Sequence, residues 1–494
     1  MDERSSEGQG RGGFQAGGGT RSRVGLILGP VLFALLLLLP PPAGMTPAAW
    51  RTAATGILMA VWWITEAIPI PATALVPLVL FPLLGVAPIG AAAAPYANPV
   101  IFLFLGGFLI AAALQRCGLH RRMALTIISL VGTSPRRLVG GFMAATAFIS
   151  MWVSNTATVV MLLPMALSVL TLVESRGGRG AADANFGVTL LLGLAYAASI
   201  GGVGTLIGTP PNALLAGFMD EAYGVRIGFV EWMLLGVPLV LVALPLTWLL
   251  LTRVLYPVPG EDVGGGADLI RSELRRLGPL SRAELLVGGI TALTAIAWVT
   301  RPLIDDVIPG ISDAGIAVGG ALLLFVIPPG GRERSPLLGW EDAQQLPWGV
   351  LLLFGGGLSL ADAIEETGLA TWIGEALGAV AAWPPLLVVL TATTVIVFLT
   401  ELTSNTATAA AFLPVVAALA VGIGADPLLL AVPVALGASC AFMMPVATPP
   451  NAIVYGSGRL TIPQMARAGF WLNLLMIVLV TAAAFLLAPL TLAR

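Results

Sequence analysis

Residues 232–251 run for twenty positions without a charged side chain. At about 1.5 Å of rise per helical residue, such a run crosses roughly 30 Å of hydrocarbon. Comparable apolar runs recur at 24–39, 186–207, 314–327 and 470–490. With 57% hydrophobic and 10% charged residues over 494 positions, the chain lacks the polar surface of an ordinary soluble domain. In a bilayer, backbone N–H and C=O groups must pair within the protein, so the expected fold class is an all-α polytopic membrane protein.

The few polar residues narrow the chemistry. All 24 basic residues are arginine, which excludes a lysine nucleophile and a P-loop lysine. One histidine (His120) and two cysteines (Cys117, Cys440) supply neither zinc-ligand spacing nor a disulfide framework, and Cys440, in an apolar run, reads as a small packing residue. No Ser-His-Asp set is available, and GGVGTLIGT (201–209) lacks the GK[ST] of a phosphate-binding loop, so an enzyme is not expected, nor a nucleic-acid partner. Residues 1–23, rich in Gly, Ser and Arg, are expected to be a disordered cytoplasmic tail. The apolar run after it resembles a signal peptide but is needed as a retained first helix.

Crossings are expected at about 24–42, 52–67, 71–88, 99–115, 186–218, 231–255, 284–300, 312–328, 347–364, 428–456 and 469–491, about eleven transmembrane helices. Two further apolar segments, about 139–173 and 384–424, are expected to be re-entrant hairpins that enter and leave by one face. With the N-terminus cytoplasmic and the C-terminus outside, twenty arginines then lie inside and only Arg51, Arg226, Arg301 and Arg494 outside, as the positive-inside rule favours. The expected location is the cell inner (plasma) membrane, multi-pass among membrane lipid.

The hairpin segments carry a duplication. VSNTATVVMLLP (153–164) is matched by TSNTATAAAFLP (403–414), FLFLGGFLIAAALQRCGL (102–119) by LLLFGGGLSLADAIEETGL (351–369), and GTPPNA (208–213) by ATPPNA (447–452). Each half holds an odd number of crossings, so the copies form an inverted repeat, the architecture of secondary transporters. A hairpin tip at mid-membrane leaves helix ends unpaired unless something binds there. Ser, Asn and Thr offer hydroxyl and amide oxygens to a cation, and helix starts offer N–H groups to an anion. Consecutive prolines are incompatible with a regular helix, so breaks are expected at Pro210-Pro211 and Pro449-Pro450, the first loosened by Gly201, Gly202 and Gly204. Oxygen donors without a carboxylate cluster suit a hard monovalent ion such as sodium. Adjacent cation and anion stabilise each other, which is coupling.

At these residues the sequence resembles the divalent anion/sodium symporter family, which includes bacterial dicarboxylate transporters and mammalian sodium-coupled citrate and dicarboxylate carriers. The resemblance covers nearly the whole chain after residue 24. It includes WWITEAIPIPATALVPLVLFPLLGV (62–86), both SNT motifs, GGVGTLIGTPPN (201–212) and SCAFMMPVATPPNAIVYGSG (439–458). It implies a first sodium site from Ser150, Ser154, Asn155 and a glycine of the 201–204 loop, Gly202 or Gly204. It implies a second from Thr400, Thr403, Asn405 and Ala447, partly through backbone carbonyls. Substrate carboxylates are implied to meet Asn155, Thr156, Asn405, Thr406, Thr448 and Pro449. The family also implies a homodimer and an elevator mechanism with scaffold and transport domains.

On that reading 24–138 and 284–383 are scaffold helices, 139–256 and 384–494 are transport-domain elements, and 257–283 is a cytoplasmic linker. The expected function is sodium-coupled import of C4-dicarboxylates. The same residues suit a sodium-independent dicarboxylate exchanger, or carriers of citrate or sulfate. Glu401, whose first-half counterpart is Met151, is the only carboxylate beside a motif and admits either proton coupling or a bracing role.

Overall fold

A computed structural model of the chain describes residues 20–132, 134–175, 181–258, 266–304, 308, 310–330, 335–376 and 382–492. Among these, every regular element is helical, and the elements recur in the same order. Pro99–Cys117 and Trp348–Glu366 are each followed by a glycine at positive φ, Gly118 at 77° and Gly368 at 78°, which turns the chain into a short helix, Leu119–Val131 or Leu369–Ala376. Next come a helix pair, Pro135–Ser150 with Asn155–Ser175 or Pro385–Thr400 with Asn405–Gly422, and a broken helix, Ala181–Gly202 with Pro210–Tyr223 or Leu428–Ala438 with Pro449–Tyr455. A long helix closes each copy, Phe229–Leu249 or Ile462–Leu486. Both prolines of each PPN open the second half of their broken helix, where an N–H would have no intrahelical partner.

Nine helices among the described residues are long and apolar enough to cross a membrane. Seven of them fall on the eleven expected crossings and two, Asn155–Leu172 and Asn405–Gly422, on the expected hairpins. The other four expected crossings hold shorter apolar helices (Ile70–Leu84, Asp313–Val326, Leu428–Ala438) or the helix Pro47–Thr65, which carries Arg51.

One expectation about a polar segment changes. The tail expected over 1–23 gives way to helix by Thr20: Ser22 Oγ donates to the carbonyls of Glu66 (3.2 Å) and Ala67 (3.3 Å), and Arg21 to that of Ile64. Those carbonyls lie at the C-terminus of Pro47–Thr65, where intrahelical donors run out. Residues 1–19 lie outside the described residues. The linker expected over 257–283 contains the helix Gly266–Arg276, which packs on Leu119–Val131. Arg121 pairs with Glu273 (3.0 Å), and Arg122 pairs with Glu284 (2.7 Å) while donating to the carbonyls of Leu277 (3.2 Å) and Gly278 (2.9 Å).

The copies interlock through paired glycines. Gly106, on Pro99–Cys117, lies against Ala317 of Asp313–Val326, a helix from the second half. Gly356, its counterpart on Trp348–Glu366, lies against the backbone of Ala74, from the first half. A β-carbon on either would overlap the neighbouring main chain. Small residues let helix backbones approach where lipid provides no hydrophobic drive between helices.

Candidate functional site

Each helix pair turns through four residues, 151–154 and 401–404, and the SNT asparagine is the first residue of the second arm. In the first pair the fully buried Ser150 hydroxyl lies within hydrogen-bonding reach of Asn155 Oδ1 and, at 2.7 Å, of the Ala198 carbonyl. In the second, the fully buried Thr400 hydroxyl lies 2.8 Å from Asn405 Oδ1 and 2.9 Å from the Ala438 carbonyl. A hydroxyl has one proton, so it serves one of its two acceptors at a time. Each turn therefore concentrates more oxygen lone pairs than protons, in a buried place where an unmatched acceptor is costly. A hard cation satisfies such a set. No cluster of three or more His, Cys, Asp or Glu residues suited to a metal occurs among the described residues.

The other residues expected at the first site divide. Ser154 is exposed and its Oγ accepts the Ala157 N–H at 3.3 Å, as a helix cap. Thr156 is exposed beside it. Gly202 lies against Asn155, since a β-carbon there would sit 2.8 Å from Asn155 Oδ1. Gly204 lies instead against the Met151 side chain. At the second site, the Thr403 hydroxyl is turned into the helix pair, donating to the Leu399 carbonyl at 2.9 Å and bonded to Thr408 Oγ1 at 2.6 Å. Thr406 is half-buried, and Thr448 and Ala447 are buried, with Thr448 Oγ1 capping the Asn451 N–H at 3.3 Å. Pro449 is exposed.

The broken helices solve a hydrogen-bonding problem with one tripeptide. A break in apolar surroundings strands C=O groups on one side and N–H groups on the other. The prolines remove two of the N–H groups. Asn212 Nδ2 then reaches back to the carbonyls of Gly202 (3.1 Å) and Thr205 (2.8 Å), and Asn451 Nδ2 to those of Ala441 (3.2 Å) and Met444 (3.0 Å). Trp232 Nε1 takes the Val203 carbonyl at 2.9 Å. The PPN motifs were visible in the sequence, but only the fold shows what their asparagines bind.

Glu401 belongs to the second break. Oε1 accepts the N–H groups of Phe442 (2.6 Å) and Met443 (2.8 Å) and the Asn473 amide (2.8 Å), and Oε2 accepts Met443 (3.0 Å) and Met444 (3.1 Å). Both oxygens face donors, the arrangement that an ionised carboxylate satisfies and a carboxyl O–H opposes. Its geometry is that of a brace. We expect Glu401→Gln to lower stability by about 2–4 kcal/mol through lost charge-assisted bonds and a new clash between N–H donors. The check is the thermal midpoint of the purified variant beside the pH profile of its uptake. A stable variant whose pH profile shifts would instead make Glu401 a proton carrier. Asn473, a lone amide in the run 470–490, was the overlooked sequence signal.

Tertiary packing crosses the copies. The first arm of each pair packs on the broken helix of its own copy, Pro135–Ser150 on Ala181–Gly202 and Pro385–Thr400 on Leu428–Ala438. The second arms pack on both copies: Asn155–Ser175 on Ala181–Gly202 of its own and on Pro449–Tyr455 of the other, and Asn405–Gly422 on Leu428–Ala438 of its own and on Pro210–Tyr223 of the other. Each SNT segment thereby begins a helix that lies along the PPN helix of the other copy.

This architecture defines a polytopic helical membrane protein with a duplicated, oxygen-rich site at two helix turns and two helix breaks. The chain belongs to the family described as the sodium:sulfate symporter transmembrane region, which matches residues 21–492. It is a family of transporters, not of enzymes. The sodium-dependent dicarboxylate transporter SdcS of Staphylococcus saprophyticus is 45% identical over 473 residues, 94% of this chain and 91% of that protein. SdcS of Staphylococcus aureus strain MRSA252 is 44% identical over 481 residues, 96% of this chain and 92% of that protein. Among solved structures, Neisseria gonorrhoeae MtrF, of a class of antimetabolite efflux pumps, superposes with a TM-score of 0.58 at 13% identity, covering 93% of this chain and 94% of its own. The Alcanivorax borkumensis YdaH transporter gives 0.53 at 15% identity, covering 94% and 96%. At those identities the two structures share the fold alone.

Proposed function

We propose that this protein is a secondary active transporter that imports C4-dicarboxylates such as succinate, malate and fumarate with sodium ions. The observation that carries the reading is the repeated lone-pair excess at Ser150/Asn155/Ala198 and Thr400/Asn405/Ala438. The names of the staphylococcal relatives support the substrate class and the ion.

On this reading the first cation site is formed by Ser150, Ser154, Asn155 and Gly202, with Gly204 behind it. The second is formed by Thr400, Thr403, Asn405 and Ala447, with Thr403 acting through its carbonyl because its hydroxyl is engaged. Substrate carboxylates meet the exposed Thr156 and Pro449, the less accessible Thr406 and Thr448, and the two asparagines. The helix pairs re-enter from opposite faces and move with the broken helices as a transport domain. Residues 24–138 and 284–383 form the scaffold of a homodimer in the cell inner membrane, with the N-terminus cytoplasmic and the C-terminus outside.

Labelled succinate uptake into proteoliposomes, empty or preloaded with succinate, with and without an inward sodium gradient, tests this. Sodium-driven uptake into empty vesicles is the expected result. Uptake only into preloaded vesicles, indifferent to sodium, would make the protein an exchanger. Sulfate is the second substrate to try, because the family is named for it. Sodium-driven sulfate uptake without succinate uptake would overturn the dicarboxylate assignment while leaving the ion assignment standing.

A further inference from the structure

We propose that Asn212 and Asn451, the asparagines of the PPN motifs, are positioning residues that link each helix break to the cation-binding turn of its own copy. The proposal rests on the sodium-coupled reading and assigns the two asparagines a role of their own. Both side chains are fully buried. Their amide orientation is fixed by chemistry, since exchanging Oδ1 and Nδ2 would set an oxygen against two carbonyls in each case.

The path from each asparagine to its turn has the same number of links but different chemistry. Asn212 holds the Thr205 carbonyl (2.8 Å), and Thr205 Oγ1 donates to the Met151 carbonyl (2.5 Å), one residue beyond the Ser150 hydroxyl. Asn451 holds the Met444 carbonyl (3.0 Å), and the Met444 N–H donates to Glu401 (3.1 Å), one residue beyond the Thr400 hydroxyl. Met151 and Glu401 are the counterpart residues of the two copies. The same connection is thus made twice with unrelated side chains. Simple packing has no reason to keep the route while the residues along it change.

The first asparagine also holds the Gly202 carbonyl, and Gly202 lies against Asn155. Each asparagine further keeps Oδ1 as a buried acceptor with no donor among the described residues. Such an atom costs free energy unless a water or cation completes it. A cation that draws on the turn therefore also acts on the break, because the two are joined through two hydrogen bonds in each copy.

The test is the sodium dependence of Asn212→Ala and Asn451→Ala in the full-length protein. It is read as sodium half-activation of succinate uptake and, independently of transport, as the sodium concentration that half-raises the thermal midpoint in detergent, with choline as control. We expect each alanine variant to need at least fivefold more sodium by both readouts, with succinate KM at saturating sodium within twofold of wild type. Asn212→Ser and Asn451→Ser, which keep one O–H donor, are expected to shift by less, and they carry the test if an alanine variant is not recovered folded. Folded variants whose sodium response stays within twofold, or whose sodium and succinate constants move by equal factors, would overturn the proposal. A wild-type protein indifferent to sodium would overturn the function and this proposal together.

Discussion

Asn155→Ala and Asn405→Ala are each expected to raise the sodium concentration for half-maximal uptake by tenfold to a hundredfold, with little change in the amount of folded protein. Each asparagine supplies the amide oxygen that its turn's hydroxyl approaches, from Ser150 in one copy and Thr400 in the other. Losing a hydrogen-bonding or ligating contact to a charged group costs about 1.5–3 kcal/mol, and about 1.4 kcal/mol is a factor of ten in affinity. Stability should change less, because the hydroxyl keeps its other acceptor, the Ala198 or Ala438 carbonyl. Sodium titrations of uptake in proteoliposomes, with size-exclusion profiles of the same preparations, decide the matter. Wild-type sodium dependence in either variant would remove that asparagine from the cation site. Similar shifts at both positions would mean that the two half-sites contribute alike, as their matching geometry implies.

Gly106→Leu and Gly356→Leu should fail at an earlier stage, by preventing assembly of the helices. A β-carbon at Gly106 would lie 2.6 Å from the Ala317 carbonyl carbon, and one at Gly356 would lie 2.7 Å from the Ala74 α-carbon. These obstacles are backbone atoms, which no rotamer change can move aside. Overpacking a filled interior by even a methyl costs about 1–3 kcal/mol, and leucine adds three more carbons to the same contact. Little monodisperse protein is therefore expected for the leucine variants, and a thermal midpoint lowered by several degrees for the alanine variants. Gly118→Ala is the informative comparison, because nothing lies within 4 Å of the added carbon there and the cost is only that of its positive φ. If Gly356→Leu matched wild type in yield and midpoint, the close approach of Trp348–Glu366 to Ala74 would be wrong.

The helical membrane class, the duplicated element order and the breaks beside TPPN all follow from one-dimensional facts. A run of twenty uncharged residues, a proline pair inside an apolar segment and a motif repeated at an offset of 250 carry their consequences wherever they fold. The SNT asparagines Asn155 and Asn405 stand out for the same reason, since polar side chains in apolar runs need a partner or a task, whereas Ser150 and Thr400 enter through the family resemblance. Helix begins at Thr20, inside the expected tail, where Arg21 and Ser22 donate to the carbonyls of residues 64, 66 and 67 at the end of the next helix, a partnership that no local pattern announces. Ser154 and Thr403 are both implied as sodium ligands by the resemblance, yet one caps a helix from an exposed position while the other bonds inward to Thr408.

What the sequence determined by itself was local: which segments are helical and apolar, where they must break, and which oxygens lie near the turns. What only the tertiary structure decided was partnership. It let each second arm bridge the copies, laying Asn155–Ser175 along Pro449–Tyr455 and Asn405–Gly422 along Pro210–Tyr223 while each also packs on the broken helix of its own copy. It set Glu401 against the N–H groups of residues 442–444 and gave the PPN asparagines their carbonyls. The physical reason is that a backbone group freed by a helix break exerts the same demand on any donor or acceptor of matching kind. Which one answers depends on the distances that packing creates, and those are properties of the assembled helices.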